Sequence, residues 1–161
     1  MGHHPYEPGP EHAFLAKKVG VWDIECEYFF DPSSDPMRAT GVDTVEALGP
    51  YWIVARSQFD LPGITLNGIA ATGFDPVVKM FKGTWFDSAT PFLYNFEGMY
   101  DAERDLLEMT GENIDPSTGE LVPYRSKELY GGPDARIFEL LVETQPGLET
   151  QILRYEYTRR K

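Results

Sequence analysis

The chain has 161 residues and a formal net charge of −12, with 26 acidic residues against 14 Lys and Arg. This length allows one domain with a buried core. The acidic balance argues against nucleic acid as a partner, because phosphate neutralisation needs clustered basic side chains, and it disfavours docking on an anionic membrane. The single cysteine, Cys26, excludes an internal disulfide, and no apolar run approaches the ~20 residues that span a bilayer.

The start of the chain differs in composition from the rest. Residues 1–9 are rich in Pro and Gly, which predicts a flexible tail, and residues 10–161 are predicted to form a single β-barrel domain. No charged segment followed by an apolar stretch and a small-residue site opens the sequence. A cytoplasmic location is therefore the default expectation.

One short helix is predicted before the strands begin. Residues 10–18, PEHAFLAKK, combine a Pro suited to a first turn, an early Glu and two late Lys. After this helix, Trp22, Ile24, Cys26 and Tyr28 alternate with acidic residues. One apolar face and one wet face are typical of a half-exposed antiparallel strand.

Turn-forming Gly, Pro, Asn and Asp divide the remainder into further strands with period-two alternation. Two aromatic runs around the polar link at 87–91 predict a central hairpin, and a polar loop is predicted over 113–119. Besides the first, the predicted strands cover residues 37–48, 51–60, 64–74, 80–87, 92–100, 106–111, 122–130, 136–144 and 150–159. About ten strands in sequential hairpins predict an all-β, antiparallel, up-and-down barrel, since closing the meander removes its edge strands.

The junction between helix and first strand carries a resemblance. Gly20-Val21-Trp22 directly after a short helix resembles the start of lipocalin-like (calycin) barrels. In such barrels the tryptophan plugs the closed end and stacks under an arginine from a late strand. The resemblance implies that Arg159 stacks on Trp22 here, a cation–π contact.

The chain resembles one bacterial family of unknown function more closely, over nearly its whole length. The shared motifs are Pro-Glu-His near the start, Gly-x-Trp-Asp, Met-Arg, Gly-Phe-Asp-Pro, Phe-x-Gly-Thr-Trp-x-Asp-Ser and the closing Tyr-Thr-Arg-Arg. The resemblance implies the lipocalin-like barrel, but no activity.

Haem is the one cofactor that a neighbouring barrel class suggests. Nitrobindin-like barrels resemble this chain and use a late histidine as iron ligand, but no histidine follows His12 here. The lone cysteine has no second thiol or histidine nearby in sequence for zinc. We therefore expect neither a metal nor a cofactor.

His12 lies on the helix that is expected to cover one end of the barrel. It could carry a proton or donate a hydrogen bond to a ligand. Alternatively, it could tether the helix to a turn.

Trp85, Asp87 and Ser88 lie where a predicted strand reaches the hairpin link. At a cavity mouth, the carboxylate and the hydroxyl would offer polar contacts beside the apolar indole. The alternative is that Asp87 and Ser88 cap the link through bonds to the backbone.

Arg125 occupies one face of its predicted strand, and Tyr124 and Glu128 occupy the other. An inward Arg125 would need a carboxylate from a ligand or from a neighbour such as Glu97 or Glu108. The alternative is an outward arginine on a wet strand face.

Aromatic residues with a few inward polar groups predict non-covalent binding of a small hydrophobic or amphipathic molecule in the barrel cavity. The candidate ligand-binding residues are Trp85, Asp87, Ser88, Tyr94, Phe96, Glu97, Tyr124, Arg125 and Glu128. One alternative is a barrel enzyme of isomerase, cyclase or hydrolase type that uses a buried carboxyl, such as Glu97 or Glu128, as proton donor. Another is a solid-core scaffold or assembly module, with a homodimer as a possible form.

Overall fold

The computed structural model describes residues 6–161. Of the predicted tail, residues 1–5 lie outside the described residues. One helix, α1 (Pro10–Ala16), precedes ten strands. The strands are β1 (Gly20–Tyr28), β2 (Met37–Leu48), β3 (Trp52–Leu61), β4 (Ile64–Asp75), β5 (Met80–Asp87), β6 (Tyr94–Asp101), β7 (Leu106–Asp115), β8 (Glu120–Tyr130), β9 (Ala135–Gln145) and β10 (Leu148–Arg159).

The strands form one closed antiparallel barrel, which confirms the predicted fold class. Each strand pairs with the next along the chain, and β10 closes the barrel by pairing with β1. On β1, the predicted apolar set Trp22, Ile24, Cys26 and Tyr28 is buried in the core. Closure leaves no strand edge with unpaired backbone groups among the ten strands.

The two ends of the barrel differ. At one end, which we call the helix end, Phe14 of α1 packs against the rings of Phe81, Tyr100 and Tyr130. The opposite end, which we call the far end, carries the loops at residues 29–36, 62–63, 88–93, 116–119 and 146–147. Chain direction in an up-and-down barrel therefore decides which end each residue approaches.

The helix is shorter than predicted. It ends at Ala16, two residues before the predicted end. Lys18 follows in the turn and is buried, with its ammonium 2.8 Å from the Glu128 carboxylate. In the described residues, no helix is long and apolar enough to cross a bilayer.

Strand β7 is longer than predicted. The polar loop expected over 113–119 begins only after Asp115, and Asn113 is buried within the strand. The Asn95 amide donates to Asn113 Oδ1 at 2.8 Å, and Asn113 Nδ2 donates to the Asn95 carbonyl at 3.1 Å. The side chain satisfies backbone groups beyond the last β6–β7 backbone pair, Glu97 with Thr110.

Candidate functional site

A cluster of four charged side chains lies buried inside the helix-end half of the barrel. Arg136 binds Glu128 through Nη1 at 3.2 Å and Asp43 through Nη2 at 3.1 Å. Lys18 adds a second cation at 2.8 Å from Glu128, and Ser57 donates to Asp43 at 2.7 Å. Two cations and two carboxylates balance, which is how buried charges are tolerated. We call Lys18, Asp43, Glu128 and Arg136 the charged floor.

Aromatic rings hold the arginine of the charged floor. The guanidinium carbon of Arg136 lies 3.7 Å from the Tyr157 ring centre and 4.7 Å from that of Trp22. Arg159 stacks on Trp22 as well, at 4.3 Å, which confirms the contact that the lipocalin-like resemblance implied. The tryptophan thus lies against two arginines.

The pKa values of the two carboxyls of the charged floor are shifted in opposite directions. Burial opposes ionisation of Glu128, but the charges of Lys18 and Arg136 outweigh it and lower its pKa to about 2. Burial raises the pKa of Asp43. The charge of Arg136, its one adjacent cation, and the hydrogen bond from Ser57 lower this pKa, but they do not outweigh the burial. Glu128 is therefore ionised at neutral pH and cannot serve as the proton donor of the enzyme hypothesis.

The lowered pKa makes Glu128 a source of acid sensitivity. Its contribution to stability is present above its ordinary pKa of 4.5 and is lost as pH falls towards its folded pKa of about 2. We expect the difference in free energy of unfolding between the wild type and Glu128→Gln to be largest above pH 4.5 and to shrink below it. Urea unfolding across this range measures it.

Glu97→Gln is the control for this experiment. It removes one negative charge from the exposed outer face of β6. It separates the loss of the buried ion pairs from the change in net charge. A Glu128→Gln difference that stays constant down to pH 2 would contradict the assignment.

Aromatic side chains line the interior at the far end. Tyr94 and Phe96 of β6 meet Tyr124 of β8 edge-on, with ring centres 5.8 and 6.3 Å apart. Trp85 packs against the core and lies across Gly68, where an added Cβ would be 2.0 Å from its ring. Trp85, Tyr94 and Phe96 remain half-buried although they face into a closed barrel. Solvent therefore reaches their rings inside the sheet.

Small residues line the strands between these rings and the charged floor. Ala55 of β3 pairs with Ala70 of β4, and Thr72 pairs with Gly83 of β5. A Cβ added at Gly83 would meet only ordinary van der Waals neighbours, such as Met109 Cε at 3.5 Å. Larger side chains at these positions would fill more of the barrel interior.

Asp87 stands at the far-end border of the aromatic lining. Trp85 Nε1 donates to Asp87 Oδ2 at 2.8 Å, and the Ala89 amide donates to Oδ1 at 2.9 Å. Tyr124 donates its hydroxyl to the Ile114 carbonyl at 2.9 Å. The bond to the indole fixes Trp85 and Asp87 as one unit.

Five predicted site residues come together in this half of the barrel: Trp85, Asp87, Tyr94, Phe96 and Tyr124. Glu128 also faces inward, as part of the charged floor. A ligand-binding role for these residues stays a prediction. We call the five the aromatic site.

The prediction that Arg125, Glu97 and Ser88 contact a ligand inside the barrel is wrong in its placement of these side chains. Arg125 lies on the outer face, 2.6 Å from Glu108 and 2.9 Å from Glu149, because the alternation of β8 turns Tyr124 and Glu128 inward. Glu97 is exposed on the outer face of β6. Ser88 is exposed, and its Oγ accepts the Asn67 amide at 3.0 Å, which is the capping role left open by the sequence.

His12 tethers the helix. The Gly9 amide donates to Nδ1 at 3.0 Å, so Nδ1 is an acceptor and the proton lies on Nε2, which donates to the Phe74 carbonyl at 3.2 Å. Both nitrogens are occupied by the backbone. His12 is thereby placed at the helix end, away from the aromatic site.

Asp43, Lys18 and Arg136 were not recognised from the sequence. A signal existed for two of them. Asp43 alternates in phase with Val45 on β2, and Arg136 alternates in phase with Phe138 on β9. A charged residue that alternates in phase with inward-facing apolar residues predicts a buried ion pair.

The grooves on the outer surface differ in character from the interior. One of about 400 Å³ lies over β1, β2, β3 and β10, and its lining includes Asp23, Glu25 and Glu156. Another of about 310 Å³ lies beside Arg125 and Glu149. Both rest on exposed strand faces, so they lack the enclosed apolar surface of a typical ligand cavity.

The fold and interior define a class of protein: a ten-stranded, lipocalin-like barrel with a charged floor and an aromatic lining at its far end. The chain belongs to the family described as protein of unknown function DUF1579, whose profile matches residues 7–159. No curated protein matches the sequence.

Two solved structures share the fold at low sequence identity. The crystal structure of Rv2717c from M. tuberculosis has a TM-score of 0.73 at 13% identity, covering 96% of this chain and 100% of that one. The S-type phycobiliprotein lyase CPES from Guillardia theta has a TM-score of 0.64 at 12% identity, covering 98% of this chain and 99% of that one. At these identities the likeness shows the fold alone.

Proposed function

We propose that this barrel binds a small, largely apolar molecule without a covalent step, in the far half of its interior. The observation that carries the proposal is that Trp85, Tyr94 and Phe96 face into the closed barrel and yet stay half-buried. Covering such rings removes apolar surface from water, which favours binding by roughly 25 cal/mol per Å².

The polar groups of the site would orient the molecule. Asp87 offers carboxylate oxygens beside the indole of Trp85. The charged floor would form the inner limit, because its ion pairs are satisfied among themselves. A few placed polar groups in an apolar lining are what small-molecule sites typically have.

The alternatives from the sequence have less support. Glu128 has a lowered pKa and Glu97 lies exposed outside, so neither fits the proton donor of a barrel enzyme. Asp43 is buried and has a raised pKa, but its two carboxyl oxygens are bound by Arg136 and Ser57. One fold neighbour is a phycobiliprotein lyase, but at 12% identity it brings no substrate to this chain. The solid-core scaffold, the homodimer and the cytoplasmic location remain predictions.

A filled-cavity variant tests the proposal with a neutral apolar fluorophore, Nile red. Gly83 faces the interior beside Thr72 and Met109, so Gly83→Leu places a side chain in the space that the small residues leave. We expect the unsubstituted protein to bind the dye with micromolar affinity, and Gly83→Leu to weaken binding about tenfold or more, because the cavity is filled. Fluorescence titration measures both.

Lys82→Leu is the matched control, because Lys82 neighbours Gly83 and faces outward, with 46% of its side chain exposed. It adds the same side chain to the outer face of β5, where we expect no loss of binding. Equal binding by Gly83→Leu would place the dye outside the barrel. Absence of binding by the unsubstituted protein would favour a solid core.

A further inference from the structure

The aromatic site contains a carboxylate with no basic partner. Asp87 accepts bonds from the Trp85 indole and the Ala89 amide, and none of the described residues forms an ion pair with it. We propose that the site prefers an organic cation, with a quaternary or protonated amine on an apolar or aromatic body. This inference rests on the proposed function and names the class of ligand.

The charge of Asp87 reaches into the interior. Burial raises the pKa of Tyr94, and the charge of Asp87 adds to that rise. Burial likewise raises the pKa of Tyr28 to about 12, with a smaller contribution from Asp87. Tyr28 lies on β1 and Tyr94 on β6, and for both the contribution of Asp87 is smaller than that of burial.

The rings around Asp87 suit a cation. Trp85, Tyr94, Phe96 and Tyr124 present π-systems whose faces attract positive charge, and the attraction strengthens when water is excluded. The indole N–H of Trp85 is directed at Asp87, which fixes the ring and the carboxylate relative to each other. An ammonium near the carboxylate would gain from both groups.

The far end repels anions. Its five loops, at residues 29–36, 62–63, 88–93, 116–119 and 146–147, contain no Lys, Arg or His. Carboxylates lie in these loops or at the strand ends beside them, at Asp31, Asp35, Asp60, Asp115 and Glu120. The one basic residue at these strand ends, Arg38 of β2, pairs with Glu27 at 3.6 Å. The loops at the helix end, by contrast, carry both signs, with Lys17, Lys79 and Arg104 beside Glu103, Asp105 and Asp134. Clustered charge of one sign at an entrance concentrates ligands of the other sign.

The cations inside the barrel are already neutralised. Arg136 binds two carboxylates and Lys18 binds one. A carboxylate or phosphate ligand would have to compete with Asp43 and Glu128 for them. The interior therefore offers an unpaired negative charge at Asp87, while both cations of the charged floor are ion-paired, although the buried Arg136 Nε has no hydrogen-bond partner among the described residues.

Three probes of similar shape and different charge test the inference. They are (naphthalen-1-ylmethyl)trimethylammonium, its neutral carbon isostere 1-neopentylnaphthalene, and naphthalen-1-ylmethanesulfonate. We expect the cation to bind about tenfold more tightly than the neutral isostere, and the anion to bind most weakly. The shift of the Trp85 indole N–H signal in NMR titrations reports binding at the site.

Two variants assign the preference to Asp87. Asp87→Asn keeps the shape and one acceptor oxygen, so either the Trp85 indole or the Ala89 amide loses its bond. We expect it to abolish most of the cation's advantage while affinity for the neutral isostere stays within about twofold. Asp60→Asn removes the same charge at the same end from an exposed side chain, and we expect it to change the advantage by less than about twofold. In the unsubstituted protein, added salt should weaken binding of the cation and leave binding of the neutral probe unchanged.

The outcomes separate the two proposals. Equal binding of cation and neutral isostere, or tighter binding of the anion, would overturn the cation preference while the proposed function stands. Absence of binding by all three, together with no binding of Nile red, would overturn both. An unchanged cation advantage in Asp87→Asn would overturn the role of Asp87.

Discussion

Replacing Arg136 by Met is expected to lower the free energy of unfolding by about 3–5 kcal/mol. The guanidinium is 7% exposed and binds both carboxylates of the charged floor. Without it, Asp43 and Glu128 share Lys18 alone, and Lys18 contacts only Glu128. Leaving a buried carboxylate without a counter-charge costs far more stability than the intact ion pair contributes.

Arg125→Met is the matched control for this prediction. Arg125 also binds two carboxylates, Glu108 and Glu149, but on the outer face with 36% of its side chain exposed. We expect a loss of about 1 kcal/mol or less, because exposed ion pairs contribute little. Urea unfolding of both variants at pH 7 measures the two losses. Similar losses would contradict the view that burial makes the charged floor costly to break.

The barrel could be predicted from the sequence because its evidence is local. Period-two alternation marks each strand, and Gly-Pro, Asp-Pro or Pro-Gly pairs mark most of the turns between them. The end of β7 could not be placed this way. Asn113 is a residue typical of loops, but its backbone pairs with Val122 of β8 and its side chain bonds to the Asn95 backbone of the neighbouring β6.

The aromatic site could be predicted in part, for a related reason. Alternation shows which residues share a face of a strand, but it does not say which face is inside. On β8 the choice lay between Arg125 and the set that includes Glu128, and both sets carry charge. Glu128 is inside because Lys18, from the turn after α1, and Arg136, from β9, supply its counter-charges. Arg136 belongs to the same predicted hairpin as Glu128, but no local pattern brings Lys18 to them.

The division of the barrel into two halves follows from where charge is balanced. At the helix end, the ion pairs of the charged floor and the stacked rings close the interior. At the far end, the half-buried rings and the unpaired carboxylate of Asp87 leave both apolar surface and charge unsatisfied. Groups left unsatisfied by the protein itself are what a ligand can satisfy.

Replacing Trp22 by Ala is expected to lower the free energy of unfolding by about 3–5 kcal/mol, with the loss of two cation–π contacts adding to the cavity. Trp22 is 2% exposed, stacks on Arg136 and Arg159, and donates its indole N–H to the Lys18 carbonyl at 2.9 Å. The cavity would lie directly beneath the turn that joins α1 to β1.

Arg159 links Trp22 to the turn between α1 and β1. Its guanidinium donates to the Lys17 and Val19 carbonyls, each at 2.6 Å, and its place over Trp22 holds it there. In the Trp22→Ala variant we therefore expect faster amide exchange at residues 18–20 as well as the loss seen in urea unfolding. Amide exchange by NMR distinguishes this local loosening from a uniform loss of stability.

Trp52→Ala is the matched control, since Trp52 is 46% exposed and lies against Gly73 on the outer face. It removes the same side chain but leaves no enclosed cavity and breaks no contact with an arginine. We expect a loss of about 1 kcal/mol or less and unchanged exchange at residues 18–20. Equal losses in the two variants would contradict the view that the burial of Trp22 and its contacts with the two arginines stabilise the helix end.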